Sequence, residues 1–410
     1  MSKPLPSLLL LPPPPVPISS ASFSAAYQPS IAATVSALRD LPTSIELLVI
    51  LPCPGLRGRM NGPRSQIYDD VQELLGGLYS LVCIVCAKLG VDVEPDIPGS
   101  IDARVVLLDY ESSQPFSKES DWTLDNTVCG PIIDLPTLAL TRRRWNIIFS
   151  VDGEEGQKIL ANYTNLANRT SPPLYGHVQV VEGGVSMVQQ HVRNIQPPHA
   201  LSAVHHVVVV GGTFDHLHAG HKLLLTATAL LLQPPNKTST ESRRLIVGIT
   251  GDELLKNKKY TEYLKSWKQR QEDVVDFLLS ILYFTRSAKE ETVQTLSFDD
   301  PNPNGRAIHI KLKPSLITIE CVEIQDPFGP TITDENITAL VVSGETRSGG
   351  QAVNEKRLEK GWKALEVFEI DVLNSQEARG DTDKVEEFAS KISSTAIRKR
   401  RAENARTSSL

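Results

Sequence analysis

The second half of the chain carries the clearest alternation of apolar and polar blocks. Val207–Val210 form an unbroken apolar run closed by Gly211 and Gly212, and "KLLLTATALLL" follows at 222–232. Short apolar runs bounded by turn residues read as buried strands, and longer ones as helices. On that reading 207–210 is a strand, 221–232 a helix, 244–250 a strand and 264–284 a helix. Further strands are predicted at 316–324, 339–345 and 364–373, and "KISSTAIRKRR" opens a last helix. The stretch 233–243 reads as a loop, and 286–309, with "FDDPNPNG" inside it, as a loop insertion. Five strands joined by helices predict an open parallel sheet with helices on both faces. The first half repeats the theme. A short leucine strand precedes Pro12–Pro15, further strands are predicted at 44–52, 103–110 and 144–152, and helices at 67–90 and 154–168, giving a second α/β layer. "NIQPPHALSAVHH" (194–206) has a Pro pair and no periodicity, and it divides the chain into 1–200 and 201–410.

A length of 410 residues suits two domains. The net charge of −6 provides no overall attraction to nucleic acid or an anionic membrane. The five cysteines are odd in number and mostly scattered, which fits a reducing compartment. Cys83 and Cys86 make a C-x-x-C, but "YSLVCIVCAKLGV" reads as a buried helix in which both pack as small hydrophobes. No window is read as a membrane span, and Pro12–Pro15 break the N-terminal leucines too early for a signal segment. A cytoplasmic protein with neither a nucleic-acid nor a membrane partner is expected. The basic "IRKRRAENAR" taken alone also suits a nuclear signal; continuous with the last helix, it reads better as a solvated face.

The candidate chemistry centres on "GGTFDHLHAGH", 211–221. Glycine at the end of a strand lets the chain turn sharply and lets a ligand approach the backbone. His218 and His221 lie three apart at the start of a helix, where free N–H groups and the positive dipole end favour a polyphosphate. A metal reading lacks a converging set, because His216 and His218 flank a turn and no local Cys completes a zinc pattern. A plain turn with surface histidines stays open on spacing alone. Ser393, Ser394 and Thr395 precede a helix and suit either capping or phosphate contact. Glu345 and Thr346, at the end of the fourth strand, suit either adenosine contact or capping of the next turn. Asp215 reads as a turn residue bracing the motif.

"GGTFDHLHAGH" and "ISSTAIR" (392–398) together resemble the paired signature of the nucleotidyltransferase superfamily. "VGITGDELLKNK" (247–258), "KPSL" (313–316), "IQDPFGPT" (324–331) and "LVVSGETRSGGQAVNEKR" (340–357) resemble its pantetheine-phosphate adenylyltransferase branch, the domain found within eukaryotic coenzyme A synthase. The resemblance spans about 205–400. It implies a Rossmann-like five-stranded nucleotidyltransferase sheet that transfers AMP from ATP to 4′-phosphopantetheine, giving dephospho-coenzyme A and pyrophosphate. It implies that Gly211, Gly212, Thr213 and Phe214 form the nucleotide loop, and that Thr213 orients the attacking phosphate. His221 and His218 donate to phosphoryl oxygens, Lys256 (with Lys258 and Lys259 close by) holds the acceptor phosphate, and Ser393–Thr395 with Arg398 face the β- and γ-phosphates. Glu345 and Thr346 are placed at the adenosine. Mg²⁺ is expected with ATP, held largely by phosphates and water. Residues 1–200 resemble the N-terminal region of coenzyme A synthases only through "ARVVLLDY"; no catalytic residue carries over, and docking of other coenzyme A enzymes is open to them.

Two alternatives stand beside this reading: a superfamily transferase with another phosphorylated acceptor, and a nucleotide-binding scaffold of the pathway without catalysis. The complete motif set also predicts that the second half folds and acts alone. The sequence has no Gly-Lys dipeptide for a P-loop and ends at Leu410 just past the last helix, so dephospho-coenzyme A is the expected end product.

Overall fold

The computed structural model describes residues 4–408 apart from 58, 60–61, 96, 113–128, 170, 186–202, 236–240, 286–288, 303–304, 314 and 371–392. Most of the boundary segment expected at 194–206 lies outside the described residues.

The first sheet is built from β1 (Ser7–Leu10), β2 (Ile45–Pro52), β3 (Ile101–Asp109), β4 (Ile132–Asp134), β5 (Arg144–Val151) and β6 (Tyr175–Val181), in the order β4-β3-β2-β1-β5-β6 with every pairing parallel. Between them run α1 (Ser20–Leu38), α2 (Tyr68–Lys88), α3 (Leu135–Thr141) and α4 (Glu154–Asn168). The central strands are buried on both faces because helices cover both, as a parallel sheet requires. α1 escapes pattern reading. It carries Pro29 in its interior and little amphipathic contrast, and it starts from a capping box between Ser19 and Ser22. β6 is an edge strand with exposed Tyr175 and Val180, so its alternation does not mark a buried face.

The second sheet holds β7 (Val207–Gly212), β8 (Arg243–Thr250), β9 (Val293–Asn302), β10 (Gly305–Leu312), β11 (Ile317–Ile324), β12 (Ala339–Ser343) and β13 (Glu366–Ile370), in the order β13-β12-β7-β8-β11-β10-β9. Its helices are α5 (Ala219–Leu231), α6 (Trp267–Leu282), α7 (Lys289–Thr292), α8 (Arg347–Glu359) and α9 (Ser394–Ser408). The five expected strands are the parallel part. The region 286–309, expected as a loop, instead forms α7 and most of an antiparallel β9–β10 hairpin that widens the sheet to seven strands. Its Asp, Asn and Pro residues read as turn formers, but Pro301 lies on the outermost strand, where a missing N–H breaks no central ladder.

The two sheets share one continuous core. α5 is buried on almost every side, packed between its own sheet and α2, with Tyr79 Oη 3.5 Å from Thr226 Oγ1. A helix that is apolar all round needs cover all round. Against the expectation that the second half stands alone, α2 supplies one wall of α5. The segment 64–88, 25 residues long, is long and apolar enough by length and composition to cross a membrane. The sequence reading gave it no such credit. Here 67% of its apolar window is buried inside the protein, and Cys83 and Cys86 lie in that core as expected.

Candidate active site at the switch point of the second sheet

In the second sheet β7 lies between β8 and β12, and the chain leaves it in opposite directions on the two sides. Such a switch point opens a crevice beyond the carboxyl ends of the strands. A cavity of about 740 Å³ occupies it, within the usual range for small-molecule sites. Its floor is Gly211, Gly212 and Thr213 from the end of β7. One wall is His218 and His221 from the start of α5, and the opposite wall carries Ser343, Glu345 and Thr346 beyond β12. Ser393, Ser394, Thr395 and Arg398 of the α9 region close a further side.

His218 takes the N-cap position of α5 in extended backbone, and no side chain caps the helix. The first N–H groups of α5 thus meet the cavity with the positive dipole end. The rings of His218 and His221 stack with centroids 3.9 Å apart, and the Nδ1 atom of each is buried without a hydrogen-bond partner. Burial, followed by the neighbouring His221 and Lys222, holds the His218 imidazole well below its ordinary value. Burial is also the main reason that His221 is lowered to about 4, with His216 adding to it and Asp215 opposing. Both rings are neutral at pH 7 and line the cavity, and a neutral imidazole can donate one ring N–H to an anionic ligand.

A pH dependence follows. The folded value of His221 lies below the unfolded one of about 6.5, so its stabilising contribution is complete above pH 6.5 and is lost as pH falls through about 4. The unfolding free energy from denaturant titration is expected to drop between pH 6.5 and 4.5 by on the order of 2 kcal/mol from this group. The fall should shrink in His221→Gln and when a triphosphate is bound. An unchanged slope in the variant would contradict the assignment.

His216 does not join this pair. Its backbone has φ 47°, and its ring Nε2 lies 2.9 Å from the Tyr263 carbonyl. Among the described residues no group of three His, Cys, Asp or Glu side chains could hold a metal. Phe214, expected in the nucleotide loop, is fully buried beneath it at φ 50°, with its ring 5.4 Å from that of His221. A Cβ on Gly212 would sit 3.0 Å from the Phe214 ring, which accounts for glycine there. Phe214 is a wedge under the loop and does not line the cavity.

The three lysines after β8 separate. Lys256 is exposed, ion-paired with Glu253 and outside the cavity, whereas Lys258 lines it. The tight turn Asp252–Leu255 sets this phase, and local spacing does not reveal it. Arg398 lines the cavity, yet its guanidinium is held by Asp215, by the Lys259 carbonyl at 3.1 Å and by Thr395 Oγ1 at 3.2 Å. It acts first as a brace. Asp215, fully buried, also accepts from the Lys265 N–H at 3.1 Å, and Ser394 Oγ donates to the Asp215 carbonyl at 2.7 Å. The histidine loop and the start of α9 are thereby stitched together. Ser393 Oγ accepts weakly from the Ala396 N–H at 3.4 Å, and Thr346 Oγ1 accepts from the Ser343 N–H at 3.1 Å, so the capping roles exist while both residues still line the cavity. In "DPFG", Asp326 accepts from the N–H groups of Phe328 and Gly329 at 2.7 and 2.8 Å. Gly329 has φ 49°, and a Cβ there would lie 2.4 Å from Ile324 Cγ2.

One contributor is missing from the sequence reading. Arg270 on α6 is fully buried and donates to the Thr213 carbonyl at 2.7 Å, to the Lys265 carbonyl at 3.0 Å and to Asp252 Oδ1 at 2.7 Å. It fixes the loop that presents Thr213. Its signal was an arginine four residues before Val274 on the buried face of an amphipathic helix, where an unpaired charge is costly.

Residues 209–400 match the cytidylyltransferase-like family model, and residues 1–187 match a model described as a domain of unknown function. An uncharacterized protein of Schizosaccharomyces pombe is 39% identical over 192 residues, 47% of each chain. A phosphopantetheine adenylyltransferase of Saccharomyces cerevisiae is 36% identical over 194 residues, 47% of this chain and 48% of that one. A phosphopantetheine adenylyltransferase of Pyrococcus abyssi is 30% identical over 191 residues, 47% of this chain and 87% of the archaeal one. The matched part spans about half the length of the two fungal relatives.

Proposed function

The chain belongs to the nucleotidyltransferase superfamily and carries a domain of phosphopantetheine adenylyltransferase type, and from that premise we propose that it transfers AMP from ATP to 4′-phosphopantetheine. Pyrophosphate leaves, and the product is dephospho-coenzyme A. The observation that carries this reading is the pair of buried, neutral imidazoles at the uncapped start of α5, which line one cavity together with Ser393, Ser394 and Thr395. That arrangement suits a chain of phosphates.

The acceptor phosphate is a competent nucleophile near neutral pH, so no strong base is needed. The task is alignment and charge stabilisation. In this reading Thr213, fixed through Arg270, orients the attacking oxygen toward the α-phosphate. His221 and His218 donate to phosphoryl oxygens whose charge grows during transfer. The N–H groups at the start of α5 and the α9 hydroxyls receive the leaving pyrophosphate. ATP enters as its magnesium complex, the ion held by phosphates and water.

Lys258 is the residue we assign to the acceptor phosphate. The test is pyrophosphate release from ATP dependent on 4′-phosphopantetheine, with nicotinamide mononucleotide as a competing acceptor. Lys258→Ala is expected to raise KM for 4′-phosphopantetheine about tenfold, the scale of one charge-assisted contact, while Lys256→Ala stays near wild type. Turnover only with the other acceptor would refute the substrate assignment, and equal effects of the two lysine variants would refute the role of Lys258.

A further inference from the structure

The first sheet presents a buried carboxylate to the helix that closes the cavity. Glu94 lies in the turn between α2 and β3 and is 1% exposed. Arg401 of α9 grips its Oε2 through Nε at 2.9 Å and Nη2 at 2.6 Å, and Arg400 pairs with its Oε1. Arg400 also reaches Asp92 Oδ1 at 2.8 Å. His216 of the histidine loop lies 4.0 Å from Glu94 Oε2 on the other side.

The turn that carries Glu94 is stiff. The Ile101 N–H donates to the Asp92 carbonyl at 2.8 Å, and Ser100 Oγ donates to the Glu94 carbonyl and lies 2.9 Å from Ser44 Oγ. Gly99 there has φ 72°, and a Cβ would meet the Arg39 carbonyl at 2.6 Å. A rigid anion therefore holds the second turn of α9, and the first turn of the same helix carries Ser394 and Thr395 to the cavity. A rigid helix transmits a fixed position over that distance, and a site loose by 1 Å loses much of its binding.

We propose that residues 1–187 include a positioning device for the nucleotide site: Glu94, acting through Arg400 and Arg401, holds the start of α9 at the distance that a bound triphosphate requires. Glu94 touches no substrate and is a positioning residue. The proposal gives the first α/β unit a task in the second. It rests on the reading that the cavity takes a nucleoside triphosphate.

The experiment compares equilibrium binding of ATP and of adenosine to the full chain, since adenosine lacks the phosphates that α9 faces. Glu94→Gln is expected to weaken ATP about tenfold and to change adenosine less than twofold. Arg401→Met, at the more exposed side of the same contact, is expected to act likewise and provides the answer if Glu94→Gln does not fold. The double variant should cost no more than the larger single change, because one contact is lost in both. Equal weakening of ATP and adenosine would reduce Glu94 to general stabilisation and overturn the proposal, as would unchanged ATP affinity in both variants. If wild type binds ATP yet releases no pyrophosphate with 4′-phosphopantetheine, the reaction assignment fails while the ATP–adenosine comparison still decides the role of Glu94.

Discussion

His221→Ala is expected to lower kcat by a factor on the order of 10² or more, the scale for removing a donor that acts in the transition state. ATP affinity is expected to fall far less, because the α5 N–H groups, His218 and the α9 hydroxyls remain. The side chain also stacks on His218 and touches the Phe214 ring, so the loss of rate is read beside the loss of stability. Initial rates of pyrophosphate release at saturating ATP, with thermal unfolding as a control, measure the effect. Turnover near wild type would remove His221 from the chemistry and leave the histidine pair as a packing feature of the helix start.

The largest effect on stability is expected from Asp102→Asn. Asp102 on β3 receives Lys222 Nζ at 2.6 Å and Arg104 Nη2 at 2.7 Å, and all three residues are buried. Burial would raise its carboxyl, but Arg104 and Lys222 outweigh that and hold it well below the usual carboxylate range. Removing the anion strands the buried Lys222, which loses its ion pair, whereas Arg104 keeps Asp276 at 2.8 Å and Glu46 at 3.4 Å. Breaking such a pair from one side costs about 3–5 kcal/mol. Denaturant unfolding at pH 7 measures it, and a loss under about 1 kcal/mol would show that water reaches the pair. The carboxylate contribution is present above pH 4 and is lost as pH falls below it, where Asp102 would have to protonate. Lys222 directly follows His221, so this anchor also sets the seat of α5 on the first sheet.

Local patterns carried much of the second half. Val207–Val210 with Gly211 and Gly212, the apolar run of α5 and the spacing of His218 and His221 marked the strand, the helix start and one wall of the cavity. The capping alternatives at Ser393 and Thr346 were legible too, and both turn out to be used. The hairpin β9–β10 was not legible, because a polar edge strand with Pro301 has no local signal that separates it from a loop. α1 was silent for another reason: its Ala, Ser and Thr residues are interspersed around the helix, so no face stands out.

Sequence by itself determined the strands of the parallel sheet, the order of the motifs along it and the chemical type of each side chain at the cavity, because these rest on period, glycine placement and residue chemistry within a few positions. Tertiary structure decided which neighbours face the cavity and which hold them there. Lys258 reaches the cavity and Lys256 does not, because a single turn sets their phase. Phe214 goes under the loop, because Gly212 leaves room for its ring. Asp102 meets Lys222 across 120 positions, and Asp215 meets Arg398 across 183. Pairing of buried charges at such separations depends on where the elements come to rest, and no local pattern carries that information, since a lone Asp or Arg on an apolar face signals only that some partner must exist.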